Sequence, residues 1–426
     1  MEAIILFTVL ILTIMTSIPI GITLGLSTGI AMFMTTTIPM SMIVQKSVTG
    51  LDSFPLLAIP FFILAGELMC YGGISKRLVA LADALVGWVT GGLSMVTVLA
   101  CMFFAAISGS GPATVSAIGS FMIPEMKDRG YKGPFSAAIT AASGTIGVII
   151  PPSIPFVIYC IVAQCSIGEM FIAGIIPGVI IGLSLMTVCY INAKGDKNIA
   201  KQEIPTFRSV AHAFGDGIWA LITPIIILGG IYGGIFTPTE AAVVAVVYSI
   251  VIGVFVYKEL TFKMLYNCLR QAALVNGATE FMIGFSMAFA AYLTMAQIPQ
   301  SMAAALGQLA SNPWLLLMVI NVFLLVIGCF VDNIASVIIL TPILLPVVKG
   351  IGIDPIHFGL IMTVNLAVGF ITPPYGINLF VASAISNQSI EKISVAIIPS
   401  IIAMILCLLL FTYVPAVTMW LPTVLQ

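Results

Sequence analysis

Residues 103–159 read FFAAISGSGPATVSAIGSFMIPEMKDRGYKGPFSAAITAASGTIGVIIPPSIPFVIY, a stretch apolar enough for a membrane yet interrupted at two places. The first interruption is SGSGP at residues 108–112, and the second is GTIGVIIPPS at residues 144–153. A helix that crosses a bilayer needs about 20 consecutive apolar residues. Glycine and proline break such helices, so this stretch predicts helices that begin and end inside the membrane.

A second copy of this pattern lies 222 residues further along the chain. Matches of proline and glycine carry most weight because these residues fix the shape of the backbone. Together the matches predict an internal repeat. The aligned pairs are Ala113 and Ala335, Thr114 and Ser336, Pro124 and Pro346, Gly130 and Gly352, Ile139 and Ile361, Gly147 and Gly369, and the dipeptides Pro151-Pro152 and Pro373-Pro374.

The composition indicates a membrane protein. Of the 426 residues, 60% are hydrophobic and 7% are charged, whereas soluble proteins carry about 25% charged residues. The apolar runs are continuous, which favours membrane helices over the alternating strands of a β-barrel. The predicted fold class is an all-α, polytopic membrane protein. The apolar run that begins at Ala3 is predicted to be its first helix rather than a cleaved signal peptide.

Several functional classes find no support in the sequence. The net charge is −1 and the few basic residues are scattered, which argues against nucleic-acid binding. The eight cysteines form no CxxC pair, the two histidines are isolated, and no GxxxxGK[ST] phosphate loop is present. An intramembrane protease that used Ser108 or Ser110 as its nucleophile would need a general base at membrane depth, and neither of the two isolated histidines lies in a matching motif. The chain is therefore predicted not to be an enzyme and to have no organic cofactor.

The interruptions divide the chain into two repeats and the segments that support them. The first repeat is predicted at 93–168, with a re-entrant hairpin over 93–126 and a broken helix over 134–165. The second is predicted at 314–388, with a hairpin over 314–348 and a broken helix over 356–386. The other segments are predicted to be scaffold: 1–92 with spans and a surface helix, 169–313 with spans, a cytoplasmic loop at 194–208 and a surface helix at 258–272, and 389–426 with a C-terminal span.

Loop charges predict that the two repeats are inverted. Lys127, Arg129 and Lys132 close the first hairpin, whereas Lys349 alone closes the second. Cytoplasmic loops carry the excess of lysine and arginine, so the first hairpin is predicted to open to the cytoplasm and the second to the opposite side. Inverted repeats with broken helices are typical of secondary transporters, which bind substrate near the midplane of the bilayer.

The broken helices predict ion sites. An unsatisfied backbone group costs several kcal/mol in hydrocarbon, so a ligand or another segment must satisfy it. Carbonyl and hydroxyl oxygens are the ligands of small cations, and helix N-termini attract anions. A single break could equally be a packing kink, but the repeat and the paired hairpins favour a site.

Three acidic side chains lie inside apolar segments. Asp332 aligns with Ser110 at a hairpin tip, and an acid at membrane depth is a functional candidate. Glu67 and Glu280 are either proton carriers or carboxyls bonded to a neighbouring helix, and the sequence leaves both interpretations open.

The motifs FFAAISGSGPATVSAIGS, GTIGVIIPPSIPF and GFITPPYGINLF, which begin at residues 103, 144 and 369, resemble the large membrane subunit of tripartite ATP-independent periplasmic (TRAP) transporters. The segments IPFFILAGELM and MFIAGIIPG resemble the same family, and the likeness covers essentially the whole chain. The resemblance implies a sodium-driven importer of organic anions in the bacterial inner membrane. It also implies an elevator mechanism, in which a transport domain slides against a scaffold.

The resemblance further implies partners and site residues. The expected partners are the lipid bilayer, a small four-helix membrane subunit on a separate polypeptide, and a periplasmic substrate-binding protein. Sodium ions would be co-transported. The first sodium site falls on Ser108, Ser110, Gly147, Ile150 and Pro152, the second on Gly328, Asp332, Gly369, Thr372 and Tyr375, and the substrate on Ser153, Asp332, Asn333 and Pro374.

The substrate is expected to be a carboxylate. The stretches GGISKRLVALADALVGW and IPPSIPFVIY resemble sialic-acid members of the family more than dicarboxylate members. C4-dicarboxylates and sugar acids are alternatives within the same transporter class. A channel or exporter that needs no binding protein is the alternative from a different class.

Overall fold

The computed structural model describes residues 2–16, 18–194, 204–301 and 312–425. Residues 195–203 of the predicted cytoplasmic loop therefore lie outside the described part of the chain. The N-terminal segment is a series of helices separated by short turns. Its members are α1 (Glu2–Met15), α2 (Ile20–Thr35), α3 (Ser41–Leu51), a 3₁₀ turn (Phe54–Leu57) that leads directly into α4 (Ala58–Tyr71), and α5 (Ile74–Val86).

The first repeat contains four helices and two interruptions. Gly109, with φ of 63°, takes the left-handed conformation at the hairpin tip, which a residue with a side chain rarely adopts. The second interruption comprises a 3₁₀ turn at Thr145–Val148 and the non-helical residues 149–153 that follow it. The helices are α6 (Gly92–Ser108), α7 (Gly111–Asp128), α8 (Gly133–Gly144) and α9 (Ile154–Ala163).

The middle of the chain has long helices. They are α10 (Ile167–Lys194), α11 (Phe207–Tyr232), α12 (Pro238–Val251), which a π-turn extends over Ile252–Val256, and α13 (Phe262–Met295). The separate surface helix predicted at 258–272 is wrong in its C-terminal limit, because α13 continues without a break to Met295. No proline follows residue 262 within this helix, and its two glycines, Gly277 and Gly284, do not interrupt it.

The second repeat has the same order of elements as the first. Its helices are α14 (Pro313–Gly328), α15 (Asn333–Gly350), α16 (Pro355–Gly369) and α17 (Ile377–Ser386). The predicted C-terminal span is divided: α18 (Ile390–Ala396) and α19 (Ile398–Tyr413) meet at 53°, and α20 (Pro415–Leu425) follows. Pro399 and Pro415 each lie in the first turn of a helix. The N–H groups of this turn have no partner within the helix, so proline costs no hydrogen bond there.

The two repeats interlock. α9 of the first repeat packs against α15 of the second, and α17 of the second packs against α7 of the first. The 222-residue shift converts one of these pairs into the other. Each hairpin is thus completed by the second half of the other repeat's broken helix, and the eight helices form one block.

Neighbouring helices surround this block. α13 packs against α2, α3 and α4 and also touches α15, while α10 packs against α6 and α19. Six helices in the described part of the chain are long and apolar enough to cross a membrane, and the bent pair of α18 and α19 forms a further candidate. The predicted all-α polytopic class, with paired hairpins and broken helices, is confirmed. The predicted division into scaffold and transport segments stays a prediction.

Candidate ion and substrate site

The tip of the first hairpin concentrates oxygen atoms. The Ser108 Oγ atom lies 2.9 Å from Thr114 Oγ1, and the Thr114 hydroxyl donates to the Ser110 carbonyl oxygen at 2.7 Å. Ser108 and Thr114 are both buried. Three oxygen atoms of the hairpin tip therefore lie close together, and oxygen atoms are the ligands that a hard cation takes.

The break in the first repeat lies directly against this tip. A Cβ atom built on Gly147 would lie 2.5 Å from Thr114 Oγ1 and 2.6 Å from the Ser110 carbonyl oxygen. A Cβ on Gly109 would lie 2.9 Å from the Pro152 carbonyl oxygen, and the Ile154 N–H donates to the Gly109 carbonyl at 3.3 Å. The absence of side chains at both glycines is what allows the two interruptions to touch.

The structure therefore brings together four of the five residues predicted for the first sodium site. They are Ser108, Ser110, Gly147 and Pro152. The fifth, Ile150, belongs to the same break, but its side chain packs against Gly178 of α10. Only its backbone carbonyl is available for the predicted role.

The second hairpin meets the second break through backbone contact. A Cβ built on Gly369 would overlap the carbonyl group of Gly328. The Thr372 hydroxyl donates to the Val368 carbonyl at 2.8 Å, which closes the turn after α16. Tyr375 differs from these residues because its side chain is exposed to 52% and its ring packs 5.4 Å from that of Phe380.

Asp332 caps a helix at the tip of the second hairpin. Its Oδ2 atom accepts a hydrogen bond from the Ile334 N–H at 2.9 Å, so the carboxylate caps α15. A carboxylate at this position also faces the positive end of the helix dipole. The aligned residue of the first repeat, Ser110, is the N-cap of α7. The two repeats thus have their N-cap at the same aligned position, but the residue there is an uncharged serine in the first repeat and an aspartate in the second.

The predicted substrate residues do not share one surface. Ser153 is fully buried and caps α9: its hydroxyl donates to the Val148 carbonyl at 2.6 Å and accepts from the Phe156 N–H at 3.4 Å. Asn333 is buried, and neither polar atom of its side chain has a hydrogen-bond partner among the described residues. Pro374 is exposed. The two breaks therefore differ, with the first covered and the second open.

Polar residues that the sequence did not indicate support both breaks. The Asn378 side chain donates to the Ala141 carbonyl at 3.1 Å, which ties α17 to α8 of the other repeat. The Asn365 side chain donates to the Asn321 side-chain oxygen at 3.0 Å, and Asn321 donates to Thr412 at 2.9 Å. Each of these asparagines stands alone in an apolar run, so the sequence contained no repeated spacing of polar residues that could have predicted these contacts. Thr114 was different, because the repeat aligns it with Ser336.

A cavity of about 610 Å³ separates the first hairpin from α4 and α13. The N-terminal ends of three helices reach it, through Pro112 of α7, Ile154 of α9 and Ile334 of α15. Glu67 of α4 also lines it, whereas Glu280 does not. The remaining polar lining comprises Tyr71, Ser108, Ser110, Ser116, Gln271 and Thr279.

The profile of the family described as "Tripartite ATP-independent periplasmic transporter, DctM component" matches residues 7–417. The chain belongs to this TRAP transporter family. It is 47% identical over 418 residues to the isethionate TRAP transporter permease protein DctMQ of Oleidesulfovibrio alaskensis, covering 98% of the chain and 66% of that relative. It is 44% identical to the C4-dicarboxylate TRAP transporter large permease protein DctM of Pseudomonas aeruginosa, covering 87% of each chain.

A relative named for a sialic acid is more distant. The chain is 38% identical over 408 residues to the sialic acid TRAP transporter permease protein SiaT of Haemophilus influenzae, covering 96% of the chain and 66% of that relative. The chain thus spans just under two thirds of the length of two of these relatives. The TRAP family and a multi-pass position in the inner membrane, both predicted from the sequence, are confirmed.

A solved structure supports the fold. The YdaH transporter of Alcanivorax borkumensis, described as having an unusual topology, aligns with a TM-score of 0.62 over 89% of this chain and 87% of its own. The two sequences are 14% identical, so the likeness concerns the fold alone.

Proposed function

We propose that this TRAP large permease couples the inward movement of sodium ions to the uptake of an organic anion. A periplasmic binding protein would deliver the anion, and a small membrane subunit would assist in the membrane. The contact between the first hairpin tip and the first break carries this proposal. There, a Cβ atom built on Gly147 would lie 2.6 Å from the Ser110 carbonyl oxygen and 2.5 Å from the Thr114 hydroxyl oxygen.

A small cation suits this contact because the atoms that could coordinate it, the Ser110 carbonyl and the Ser108 and Thr114 hydroxyls, are uncharged oxygens. Carbonyl and hydroxyl oxygens are hard ligands. The second break supplies a similar backbone contact between Gly328 and Gly369, with the Asp332 carboxylate at its edge. We propose one sodium site at each break, with the backbone supplying most ligands.

An anion suits the adjoining cavity. The N-termini of α7, α9 and α15 all reach the same space of about 610 Å³, and those of α7 and α9 present partial positive charge without a carboxylate cap. Glu67, which lines the cavity, and Asp332, which caps α15, oppose an anion there. Bound sodium would offset the charge of Asp332, which gives a physical reason for coupling: the anion binds more tightly once the cation is present.

The sequence motifs suggested sialic acid, and that suggestion remains a proposal. A carboxylate is common to sialic acid and C4-dicarboxylates, whereas isethionate, named for the relative at 47% identity, offers a sulfonate. Each is an anion that helix N-termini can bind. The first substrate panel should therefore contain sialic acid, succinate, a sugar acid and isethionate.

We further propose that the interlocked block of α6–α9 and α14–α17 moves as an elevator against α4 and α13. The cavity lies at the boundary between these two groups, with Ser116 on the block and Thr279 on α13. Cysteines at these two positions, joined by a bifunctional thiol reagent in a background without reactive cysteines, should block uptake. A cross-linked transporter with unchanged uptake would contradict sliding at this boundary.

Uptake of each labelled substrate into proteoliposomes tests the function. The small subunit and the cognate binding protein are added, and the inward sodium gradient and the binding protein are each omitted in turn. The proposal expects uptake of one substrate that requires both. Uptake without the binding protein would support a channel or another carrier instead, while dependence on both with a different substrate would replace only the sialic acid suggestion.

A further inference from the structure

The end of α9 holds two cysteines that a backbone turn brings close together. Gln164 is in the left-handed conformation with φ of 55°, and its N–H donates to the Cys160 carbonyl. The Cys165 N–H donates to the same carbonyl at 3.0 Å. This is the 6→1 bond of a Schellman cap, a turn in which the side chains of the two bonded residues often lie in contact.

The two residues joined by this bond are cysteines. The Cys160 thiol donates to the Ser166 carbonyl at 3.5 Å, so it points towards the turn that carries Cys165. Cys160 is 1% exposed, whereas Cys165 is half-buried between the exposed residues Gln164 and Ser166. One thiol is therefore accessible to a reagent, and the other lies beside it in the interior.

The pair lies at the end of α9 that faces the base of the second hairpin. The Tyr159 hydroxyl donates to the Pro355 carbonyl at 2.6 Å, which anchors this end of α9 to the start of α16. The turn before α16 carries Lys349 alone, and the loop charges predict that it faces the periplasm. The periplasm is an oxidising compartment in which disulfides form and persist.

We propose that Cys160 and Cys165 form a redox-active pair that a disulfide-donating thiol oxidant converts to a disulfide from the periplasmic side. The Cys165 thiolate attacks a sulfur of the donor disulfide and displaces one thiolate, which gives a mixed disulfide. The Cys160 thiolate then attacks the Cys165 sulfur, forms the Cys160–Cys165 bond and displaces the second thiolate. The protein loses two electrons and two protons, and the donor becomes two thiols.

Oxidised glutathione, which does not cross the inner membrane, is the probe. Spheroplasts that contain the complete transporter are exposed to it, the remaining thiols are blocked with N-ethylmaleimide, and the peptide that contains both cysteines is measured by mass spectrometry. The wild-type peptide should lose two hydrogen masses and carry neither glutathione nor N-ethylmaleimide. In Cys160→Ser, glutathione should remain on Cys165, because no neighbouring thiol can displace it.

Three results would overturn the proposal. Wild-type peptide that retains glutathione on Cys165 would show that Cys160 cannot reach it. Wild-type peptide with N-ethylmaleimide on both cysteines after prolonged exposure would show that the pair does not react. Inside-out vesicles, which expose the cytoplasmic face, should leave the pair reduced, and a disulfide formed there but not in spheroplasts would contradict the periplasmic position.

Discussion

Substitution of Gly147 by alanine tests the contact on which the first sodium site depends. The added methyl group would lie 2.5 Å from Thr114 Oγ1, 2.6 Å from the Ser110 carbonyl oxygen and 3.0 Å from the Ser110 carbonyl carbon. Two of these atoms belong to the backbone and cannot rotate away. The hairpin tip must therefore move away from the break, and the predicted ligand oxygens separate.

The size of the effect follows from the cost of overpacking. An extra methyl group in a well-packed interior costs about 1–3 kcal/mol. If this cost falls on sodium binding, the sodium concentration for half-maximal uptake rises by about 5- to 140-fold, since about 1.4 kcal/mol corresponds to tenfold. Uptake into proteoliposomes at fixed substrate and increasing sodium measures this change.

A matched control separates the site from glycine substitution in general. Gly229 lies within α11, is exposed, and a Cβ atom there would meet nothing within 4 Å. Gly229→Ala should leave the sodium dependence unchanged and stabilise the helix slightly. A folded Gly147→Ala transporter, judged by its thermal unfolding and gel filtration, with wild-type sodium dependence would refute the placement of the first site.

Three further predictions concern the second repeat and its supports. Gly369→Ala places a methyl group in the carbonyl of Gly328, so sodium-dependent uptake should fall at least as far as in Gly147→Ala; normal uptake by the folded variant would contradict a second site. Asp332→Asn keeps an N-cap acceptor, so thermal stability should be retained while sodium affinity falls. Asp332→Ala should also lose about 1 kcal/mol of stability. Equal sodium affinity in wild type and Asp332→Asn would show that the carboxylate serves only as a helix cap. Asn365→Ala removes the donor to buried Asn321 and should lower stability by about 1–3 kcal/mol, as measured by thermal unfolding in detergent; an unchanged unfolding temperature would indicate that the pair contributes nothing.

The repeat carried most of what the sequence revealed about the fold. Glycine and proline restrict the backbone locally, so Gly147 with Gly369 and the two Pro-Pro pairs could be recognised without any knowledge of packing. The continuity of α13 could not, because a change from polar to apolar residues does not end a helix. The bend between α18 and α19 lies two residues before Pro399, whose missing N–H cannot continue the preceding helix, so the sequence did carry a signal for it.

The site was predictable where it depends on backbone shape and not where it depends on side-chain direction. The hydroxyls at the first tip and the Gly147 break come together because glycines permit the approach. Ser153 and Tyr375 lie near the breaks in sequence, yet one side chain is buried in a helix cap and the other is exposed. Their directions follow from the local path of the backbone: Ser153 bonds to Val148 and Phe156, and the Tyr375 ring lies beside Phe380.

The dependence of uptake on the sodium gradient tests the central claim most directly. Proteoliposomes that contain the transporter, the small subunit and the binding protein are given an inward sodium gradient with no membrane potential, and uptake is followed before and after a sodium ionophore. Sodium coupling at the two breaks predicts that the ionophore abolishes accumulation while a protonophore does not. Accumulation that survives the sodium ionophore and stops with the protonophore would contradict it.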